Sequence, residues 1–449
     1  MKQMNNEHDS LNELFDELFP LCRSISGEGI EKTIDILGKW LPLEREFIKS
    51  GTEIFDWTTP PQWNFKRARL WGPFGELICD SAVNNLHVVN YSSPVKGYFS
   101  LDELRPHLHS IPDKPKAIPY VTSYYKRTWG FCLADDVKRK LKDGTYYAEI
   151  DSHFDDNGEI PYAQSVLKGE SKKEILLTSY ICHPSLANNE LSGPLALVAL
   201  FHRVNKWPKR RFTYRFLFNP ETIGSLCFLH NYYEKLNEAI EAGLILTCTG
   251  GPNSKLRYKA SRNENNIFNK VINDLPELNE AWNLISFSPL DGSDERQYCA
   301  PGFNWPIGQV SRTPPGEYDG YHNSLDTKDF MQISQVIETV DELESLLRIG
   351  ELFGKPLNMK PYGEPQLGKR GLYPNMNTPA VKSNSSDGLS DGRKTLNHIL
   401  TILSEADGTQ FMSDILKKAP QKLNLSETMR IIERLEREKL IKFNTGKTL

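Results

Sequence analysis

The 449-residue sequence lacks the features that mark a membrane protein, a secreted protein or a general polyanion binder. It has no apolar run long enough to cross a bilayer, and its first twenty residues are polar and acidic, without the apolar core of a signal peptide. Lys and Arg total 54 against 58 Asp and Glu, so the net charge of −4 gives no chain-wide attraction for nucleic acid or anionic lipid. We therefore expect a cytoplasmic protein without a membrane partner.

Cysteine is scarce and dispersed. The seven cysteines are odd in number and never form a CxxC pair, which argues against a disulfide framework and against a thiolate zinc knuckle. Most of them lie in apolar stretches, where a buried, reduced thiol is expected. The rest of the composition, with 39% hydrophobic and 10% aromatic residues, suffices for a large core and for more than one domain.

Predicted strands and helices alternate through the middle of the chain. The apolar runs 174–181, 212–218 and 243–249 have the character of buried strands, whereas 192–207 and 222–236 have helical periodicity. This order predicts an α/β fold with a mixed, mostly parallel sheet. Because ligands bind such sheets beyond the carboxyl ends of the strands, the residues after each run are the first candidates for a site.

Composition predicts the domain boundaries. We expect the α/β domain over 1–45 and 122–358, beginning with a helical lead-in, and a small inserted β-rich domain or lid over 46–121, where short β-rich runs alternate with Pro and Gly. A Pro-, Gly- and Ser-rich linker is predicted over 359–392. Three amphipathic helices and a wing over 393–449 predict a winged helix-turn-helix domain.

The predicted recognition helix of that domain carries Glu433, Glu436 and Glu438. These carboxylates would face DNA phosphates, so DNA is disfavoured as a partner and a structural or protein-docking role is favoured.

Polar and charged residues follow the first two predicted strands. His183 comes directly after the first strand in CHPSLANNELSG, which also holds Asn189 and Glu190, and Glu221 follows the second strand in NPETIGS. A neutral imidazole is a common zinc ligand and a carboxylate adds anionic charge. A glutamate at a strand exit suits a general base for metal-bound water, although it is equally suited to a helix N-terminus.

Two later loops carry the same types of residue. Asp294 and Arg296 lie in DGSDER, and Tyr321 and His322 lie in EYDGYHNSLD. A single histidine usually packs or forms a hydrogen bond, so the metal-site interpretation depends on these loops converging. Arg296 or Tyr321 is expected to donate to an oxyanion if it reaches the site.

The segment SYYKRTWGF, at 123–131, joins aromatic residues to two cations. One interpretation is a pocket wall in which Tyr125, Lys126 and Arg127 contact a polar or sugar-bearing substrate. The alternative, which we favour from sequence, is packing between domains.

In their order along the chain, these segments resemble the clan of co-catalytic zinc aminopeptidases and carboxypeptidases, and most closely the aminopeptidase-like proteins found with surface-polysaccharide biosynthesis genes. The matching segments are HPSLANNELSG, NPETIGS, GSDERQYCAPG, YDGYHNSLD and SYYKRTWGF. The resemblance spans nearly the whole chain. It implies a zinc-aminopeptidase-like three-layer α/β/α sandwich with an inserted small domain and a C-terminal winged helix.

The resemblance assigns roles to four residues. His183 matches the first metal histidine of the clan, Glu221 the general base and His322 the last metal histidine, while Asp294 matches an aspartate near the site.

Three positions depart from the pattern of the clan. Asn189 stands where the metal-bridging aspartate is expected, Thr222 where a second metal-binding glutamate follows the base, and Thr247 where a strand-end aspartate is expected. An amide or a hydroxyl does not supply the charge that holds two dications together, so one zinc ion is expected rather than two.

The predicted centre is thus a single zinc held by His183, His322 and a carboxylate, for which Glu190 is preferred and Asp294 is the competitor. Glu221 is the predicted base. The predicted substrate-binding residues are Asn189, Arg296, Tyr321, Tyr125, Lys126 and Arg127.

Three functions fit this site. The first is a hydrolase of peptide or amide bonds in a small peptide, amino-acid or sugar-linked substrate. The second is a degenerate enzyme that binds metal or sugar without turnover, and the third is a ligand-sensing regulator that uses the winged helix. A homo-oligomer is expected on general frequency alone.

Overall fold

The computed structural model describes residues 2–253, 255–373 and 392–443. The strands are β1 Glu44–Lys49, β2 Glu53–Ile54, β3 Trp57–Thr58, β4 Gln62–Trp71, β5 Leu77–Asp80, β6 Val95–Ser100, β7 Leu108–His109, β8 Phe131–Cys132, β9 Thr145–Asp155, β10 Glu159–Leu167, β11 Glu174–Tyr180, β12 Thr213–Asn219, β13 Ile240–Leu246, β14 Arg257–Lys259, β15 Asn283–Ile285, β16 Ile307–Ser311, β17 Pro356–Asn358 and β18 Ile441–Phe443. The helices are α1 Glu7–Leu18, α2 Glu28–Gly38, α3 Leu101–Leu104, α4 Asp135–Lys138, α5 Ser192–Asn205, α6 Ile223–Leu236, α7 Ile267–Asp274, α8 Pro276–Ala281, α9 Glu295–Tyr298, α10 Ile333–Leu352, α11 Gly392–Glu405, α12 Met412–Leu416 and α13 Leu425–Arg437. Within these ranges, none of the helices combines the length and the apolar character needed to cross a bilayer.

An eight-stranded sheet forms the centre of the fold, in the order β1-β10-β12-β11-β13-β16-β14-β15. The four central strands β12, β11, β13 and β16 run parallel, while β10 and β14 attach antiparallel on either side. The central strands β11 and β12 are buried almost throughout, because both faces of the sheet are covered. The predicted mixed, mostly parallel sheet is confirmed.

Helices cover both faces of this sheet. On one face α5 packs against α10 and α1, with Leu195, Leu200 and Val340 in a single apolar core. On the other face α6 places Phe228 and Leu229 in a second core. The predicted three-layer α/β/α sandwich is therefore confirmed.

A second, antiparallel sheet has the order β5-β4-β9-β6. Its strands lie between residues 62 and 155, whereas the predicted insert covered 46–121. β1 instead pairs with β10 in the large sheet. β9 belongs to the small sheet because its alternate residues, among them Ala148 and Ile150, point into the small core. Sheet membership thus corrects both limits of the insert, and the alternation in 145–155 is the sequence signal for it.

The C-terminal part contains α11, α12, α13 and the two-stranded sheet of β17 and β18. β17 comes before residue 359, so the chain enters this part earlier than predicted. Of the predicted linker, 374–391 lie outside the described residues, whereas Leu367 and Leu372 are buried against the core. Residues 444–449 of the predicted wing also lie outside the described residues.

The winged helix shares one continuous core with the α/β domain. α13 packs on α10 and α12 packs on α7. The guanidinium of Arg211 lies over the rings of Phe212 and Phe443, 4.1 Å and 4.4 Å from their centroids. At the start of α13, the backbone N–H of Leu425 donates to Glu277 at 2.8 Å. The first turn of the recognition helix therefore contacts the α/β domain.

A shared core predicts coupled unfolding. We expect Ile432→Ala, which truncates a fully buried side chain of α13, to cost about 2–5 kcal/mol and to shift one common unfolding transition in guanidinium chloride. The neighbouring exposed change Glu433→Ala should stay within about 0.5 kcal/mol. A separate transition for the winged helix, with the main transition unmoved, would contradict this expectation.

Candidate functional site

The carboxyl ends of the central parallel strands meet at one edge of the large sheet. Tyr180 at the end of β11 is paired with Asn219 at the end of β12, so His183 and Glu221 leave neighbouring strands at the same level. Residues 187–191 then form a π-helical turn that runs into α5 and holds Asn189 and Glu190. The structure thus brings together the first two predicted motifs.

His183 has distinct partners at its two ring nitrogens. Nδ1 lies 2.8 Å from Oε2 of Glu190, and Nε2 lies 3.6 Å from Oε2 of Glu221. Burial disfavours the protonated ring, but Cys182 and Glu190 favour it, and the net effect raises the pKa of His183 well above its ordinary value. Burial also raises the pKa of Glu190. The raised pKa values of both groups favour a proton shared between Nδ1 of His183 and Glu190.

His322 lies close to His183, as predicted. The two ring centroids are 5.6 Å apart, and the ring of Tyr120 contacts both, at 4.9 Å and 5.3 Å. Zinc–nitrogen bonds are about 2.1 Å long, so two imidazoles at this separation are within the span of one ion. Burial, together with the charge of His183, lowers the pKa of His322 to about 3. The ring is therefore neutral and can present a lone pair to a metal.

Arg23 completes the buried charge around Glu190. Its Nε lies 3.6 Å from Oε1 of Glu190 and donates to the carbonyl of His183 at 2.9 Å, and both side chains are fully buried. Arg23 lies in the loop between α1 and α2, far from the other site residues in sequence. Neither Arg23 nor Tyr120 was predicted, because no local motif points to either.

Cys182 also belongs to this group. Its sulfur lies 3.4 Å from Nδ1 of His183 and accepts from the N–H of Glu221 at 3.3 Å. Potential ligand atoms of Cys182, His183 and Glu190 all lie within 4.8 Å of one another. Burial raises the pKa of Cys182 to about 11, so it is the buried thiol that the sequence predicted, but it lies at the site.

Asn189, a predicted substrate-binding residue, is buried, and its nitrogen atoms contact neighbouring side chains. Its Nδ2 donates to the hydroxyl of Tyr180 at 2.8 Å and its N–H donates to Asp326 at 2.9 Å. Asp326 also accepts from the N–H of Asn188, so its carboxylate fixes the π-helical turn. Burial raises the pKa of Asp326 to about 6. The only signal for Asp326 in the sequence was its place in the YDGYHNSLD segment.

Asp294 holds a turn instead of facing the two imidazoles. Its two oxygens accept from the N–H of Thr222 at 2.6 Å and from Nδ2 of Asn219 at 3.1 Å. Burial and the nearby charge of Glu221 raise its pKa to about 7. The prediction that Asp294 competes as a metal ligand is not supported by this geometry, because both oxygens are engaged in supporting the strand exit that carries Glu221.

The remaining predicted substrate-binding residues differ in their surroundings. Tyr321 stacks on His322 with centroids 4.0 Å apart, so it lies at the site. Arg296 is exposed, and its Nε donates back to Ser293. Tyr125 is exposed, and its ring centroid lies 5.3 Å from that of Trp57 in β3.

Both cations of the 123–131 segment are exposed. The Arg127 guanidinium lies over the ring of Phe154 at 3.6 Å, which is packing of the kind favoured from sequence, and Lys126 is exposed. Tyr124 ties the segment to the site, because its hydroxyl lies 2.6 Å from that of Tyr120.

Comparisons with known proteins agree with this architecture. Residues 12–352 match the family described as a domain of unknown function (DUF4910), and residues 355–443 match a winged helix-turn-helix family. A Clostridium acetobutylicum protein named for polysaccharide biosynthesis and for its aminopeptidase-like domain is 41% identical over 376 residues, which are 83% of this chain and 85% of that protein.

Two solved structures share the fold. A crystal structure of a presumed peptidase from Clostridium acetobutylicum has 36% sequence identity and a TM-score of 0.82, with 98% of each chain covered. A zinc aminopeptidase from Bacillus subtilis has a TM-score of 0.56 at 11% identity, covering 76% of this chain and 93% of that one. The chain therefore belongs to the family of aminopeptidase-like proteins associated with polysaccharide biosynthesis, in which an α/β domain is followed by a C-terminal winged helix.

Proposed function

We propose that this protein is a metal-dependent, aminopeptidase-like hydrolase of peptide or amide bonds. The observation that supports the proposal is the convergence of His183, His322 and Glu221 at one edge of the sheet, with the imidazole centroids 5.6 Å apart and Glu221 3.6 Å from Nε2 of His183. These residue types are those that a metal-assisted hydrolysis requires: neutral imidazoles for the ion and a carboxylate for the proton.

The donor set fits one zinc ion. Glu221 is 29% exposed, whereas Cys182 and Glu190 are buried behind the ring, so the Nε2 side of His183 is the accessible one. We assign zinc to His183 and His322, and we assign Glu190 to orienting the ring of His183 through Nδ1. Zinc supplies a bound water of lowered pKa and polarises a substrate carbonyl.

A second ion is disfavoured by the local charge. The buried guanidinium of Arg23 stands beside Glu190, and the positions of Asn189, Thr222 and Thr247 are neutral where the clan has carboxylates. Two dications close together need anionic ligands to offset their repulsion.

Three side chains have separate roles in the proposed hydrolysis. Glu221 accepts the proton of the attacking water and returns it to the leaving amine. The hydroxyl of Ser293 donates to Oε1 of Glu221 at 2.5 Å, which leaves Oε2 directed toward His183. Tyr321, stacked on His322, is the nearby donor for the oxyanion.

A sugar-linked amide is the substrate class that we favour. The polysaccharide-related name of the 41% identical relative supports it. So does the pair of exposed aromatic rings, Trp57 and Tyr125, that adjoins the Tyr124–Tyr120 contact beside the imidazoles. Exposed aromatic faces suit the apolar face of a sugar ring.

A catalytically degenerate metal-binding protein is the second candidate. The specific observation that favours it is the candidate ligand group in the described part of the chain, which consists of Cys182, His183 and Glu190 and does not include His322, whereas three protein ligands around an open position are usual for catalytic zinc. The third alternative, a DNA-binding regulator, is not favoured, because the first turn of α13 contacts Glu277 of the α/β domain.

The zinc content of the purified protein tests the proposed metal site. After incubation with zinc and dialysis, the wild-type protein should retain about one ion per chain by mass spectrometry, and His183→Ala or His322→Ala should lower zinc affinity by about 10-fold or more. His153→Ala, an exposed histidine of β9, is the matched control and should bind as the wild type does. A wild-type protein that retains no zinc or manganese would rule out the hydrolase proposal.

Glu221→Gln separates the hydrolase from the degenerate protein. With an aminoacyl p-nitroanilide as probe, we expect kcat to fall about 10²–10⁴-fold while zinc stays bound, because the amide cannot take up the proton. Glu234→Gln, on the exposed side of α6, should change neither quantity. Loss of zinc together with activity would instead identify Glu221 as a ligand.

The aromatic pair can be tested by a change in substrate preference. We expect Tyr125→Ala to raise KM for an aminoacyl glucosamine amide about 10-fold and to leave KM for an aminoacyl p-nitroanilide within about 2-fold, because only the sugar would contact the ring. Tyr98→Ala, an exposed tyrosine of the small sheet, is the control. Equal effects on both probes would argue against a sugar subsite.

A further inference from the structure

A buried lysine lies behind the candidate site. Lys259, in β14, is only 2% exposed, and its Nζ lies 3.0 Å from Oε1 of Glu295, which is fully buried. Lysine is almost never buried to this degree without a partner. The same ammonium also donates to the carbonyls of Ser288 and Asp291, at 2.7 Å and 2.6 Å. The loop 288–295 therefore wraps around one charged group.

The ion pair determines the path of this loop. Gly292 has φ +112°, and a Cβ at that position would collide with Oε1 of Glu295 and with Nζ of Lys259. The next residue, Ser293, donates its N–H to both carboxylate oxygens of Glu295, at 3.2 Å and 2.9 Å. The backbone of the loop is thus shaped directly on the pair.

The other side of the loop holds Glu221 in two ways. The Ser293 hydroxyl donates to the Glu221 carboxylate, and Asp294 accepts from the N–H of Thr222. Thr222 has φ +64° and ψ −73°, and the N–H of Ile223 donates to the carbonyl of Glu221 at 2.8 Å, which defines a γ-turn. Such a backbone is strained and persists only where its surroundings enforce it.

We propose that Lys259 and Glu295 are positioning residues for Glu221. The pair fixes the loop, the loop places Ser293 and Asp294, and these two residues fix the direction of the Glu221 carboxylate and the strained turn beneath it. The inference rests on the proposed function in so far as Glu221 is the base. Whether the pair positions Glu221 can be judged separately, from the hydrogen bond between Ser293 and Glu221.

Three variants separate positioning from stability. Lys259→Met leaves a buried, unpaired carboxylate, so it should lower both the melting temperature and kcat. The double variant Lys259→Met/Glu295→Leu removes both charges and should recover most of the lost melting temperature, because an apolar pair can replace a buried ion pair. It should not recover kcat, because the N–H of Ser293 then has no acceptor.

The expected results are specific. With an aminoacyl p-nitroanilide, both variants should lose about 10–100-fold in kcat while KM changes less than about 3-fold, as for a catalytic group displaced by about 1 Å. In crystal structures of the two variants, Ser293 Oγ should lie beyond hydrogen-bonding distance of Glu221. The control Leu290→Ala, in the same loop and almost fully exposed, should match the wild type in every measurement.

Two results would overturn the proposal. One is a double variant that regains kcat together with its melting temperature, and the other is a retained contact between Ser293 and Glu221 in the variant crystals; either would leave the pair a purely stabilising role. If the wild type hydrolyses no probe, the proposed function fails, but the distance from Ser293 to Glu221 in the crystals still decides the positional claim.

Discussion

The parallel pairing of β12, β11 and β13 is the constraint on which the rest of the structure depends. Parallel strands end at the same edge, so residues that follow them meet there whatever their separation in sequence. Tyr180 and Asn219 are in register at that edge, and the loops beyond them carry His183 and Glu221. The almost fully buried strands fix this register, because a slip by one residue would move every side chain from one core to the other, where it does not fit. The site is therefore built at the end of the most deeply buried strands.

Buried charge is the second element of the site. The cation of Arg23, the carboxylate of Glu190 and the ring of His183 form a buried chain of contacts, of which only the His183 ring retains slight exposure. Burying these charges costs free energy unless they balance one another, and removing one member would leave another buried charge unpaired. This links the lead-in helices α1 and α2 to the candidate site, since their connecting loop supplies the balancing cation. The Arg23 cation also limits how much further positive charge the site can accept.

The order of predicted strands was sufficient to infer the sheet and to place His183 and Glu221 at the same edge, whereas His322 was assigned by the resemblance to the peptidase clan. It was not sufficient for residues whose roles depend on long-range contacts. Arg23 reaches Glu190 from another element, and Lys259 acts on Glu221 only through an intervening loop. Asp294 was predicted as the competitor of Glu190 for the ligand position. Its oxygens in fact accept from the N–H of Thr222 and from the amide of Asn219, and although both donors lie in the NPETIGS segment, their pairing with Asp294 depends on the fold.

The docked winged helix can be understood by the same reasoning. A helix-turn-helix reads DNA with the first turns of its recognition helix, which must enter the major groove. In this protein the N–H of Leu425 at that end is bound to Glu277, and Asp274 accepts from Ser413 at 3.0 Å and pairs with Lys417 at 2.8 Å. DNA binding would require breaking these contacts and exposing the continuous apolar core between α13 and α10. Burial of that core favours the docked arrangement, in agreement with the structural or protein-docking role that the acidic recognition helix predicts.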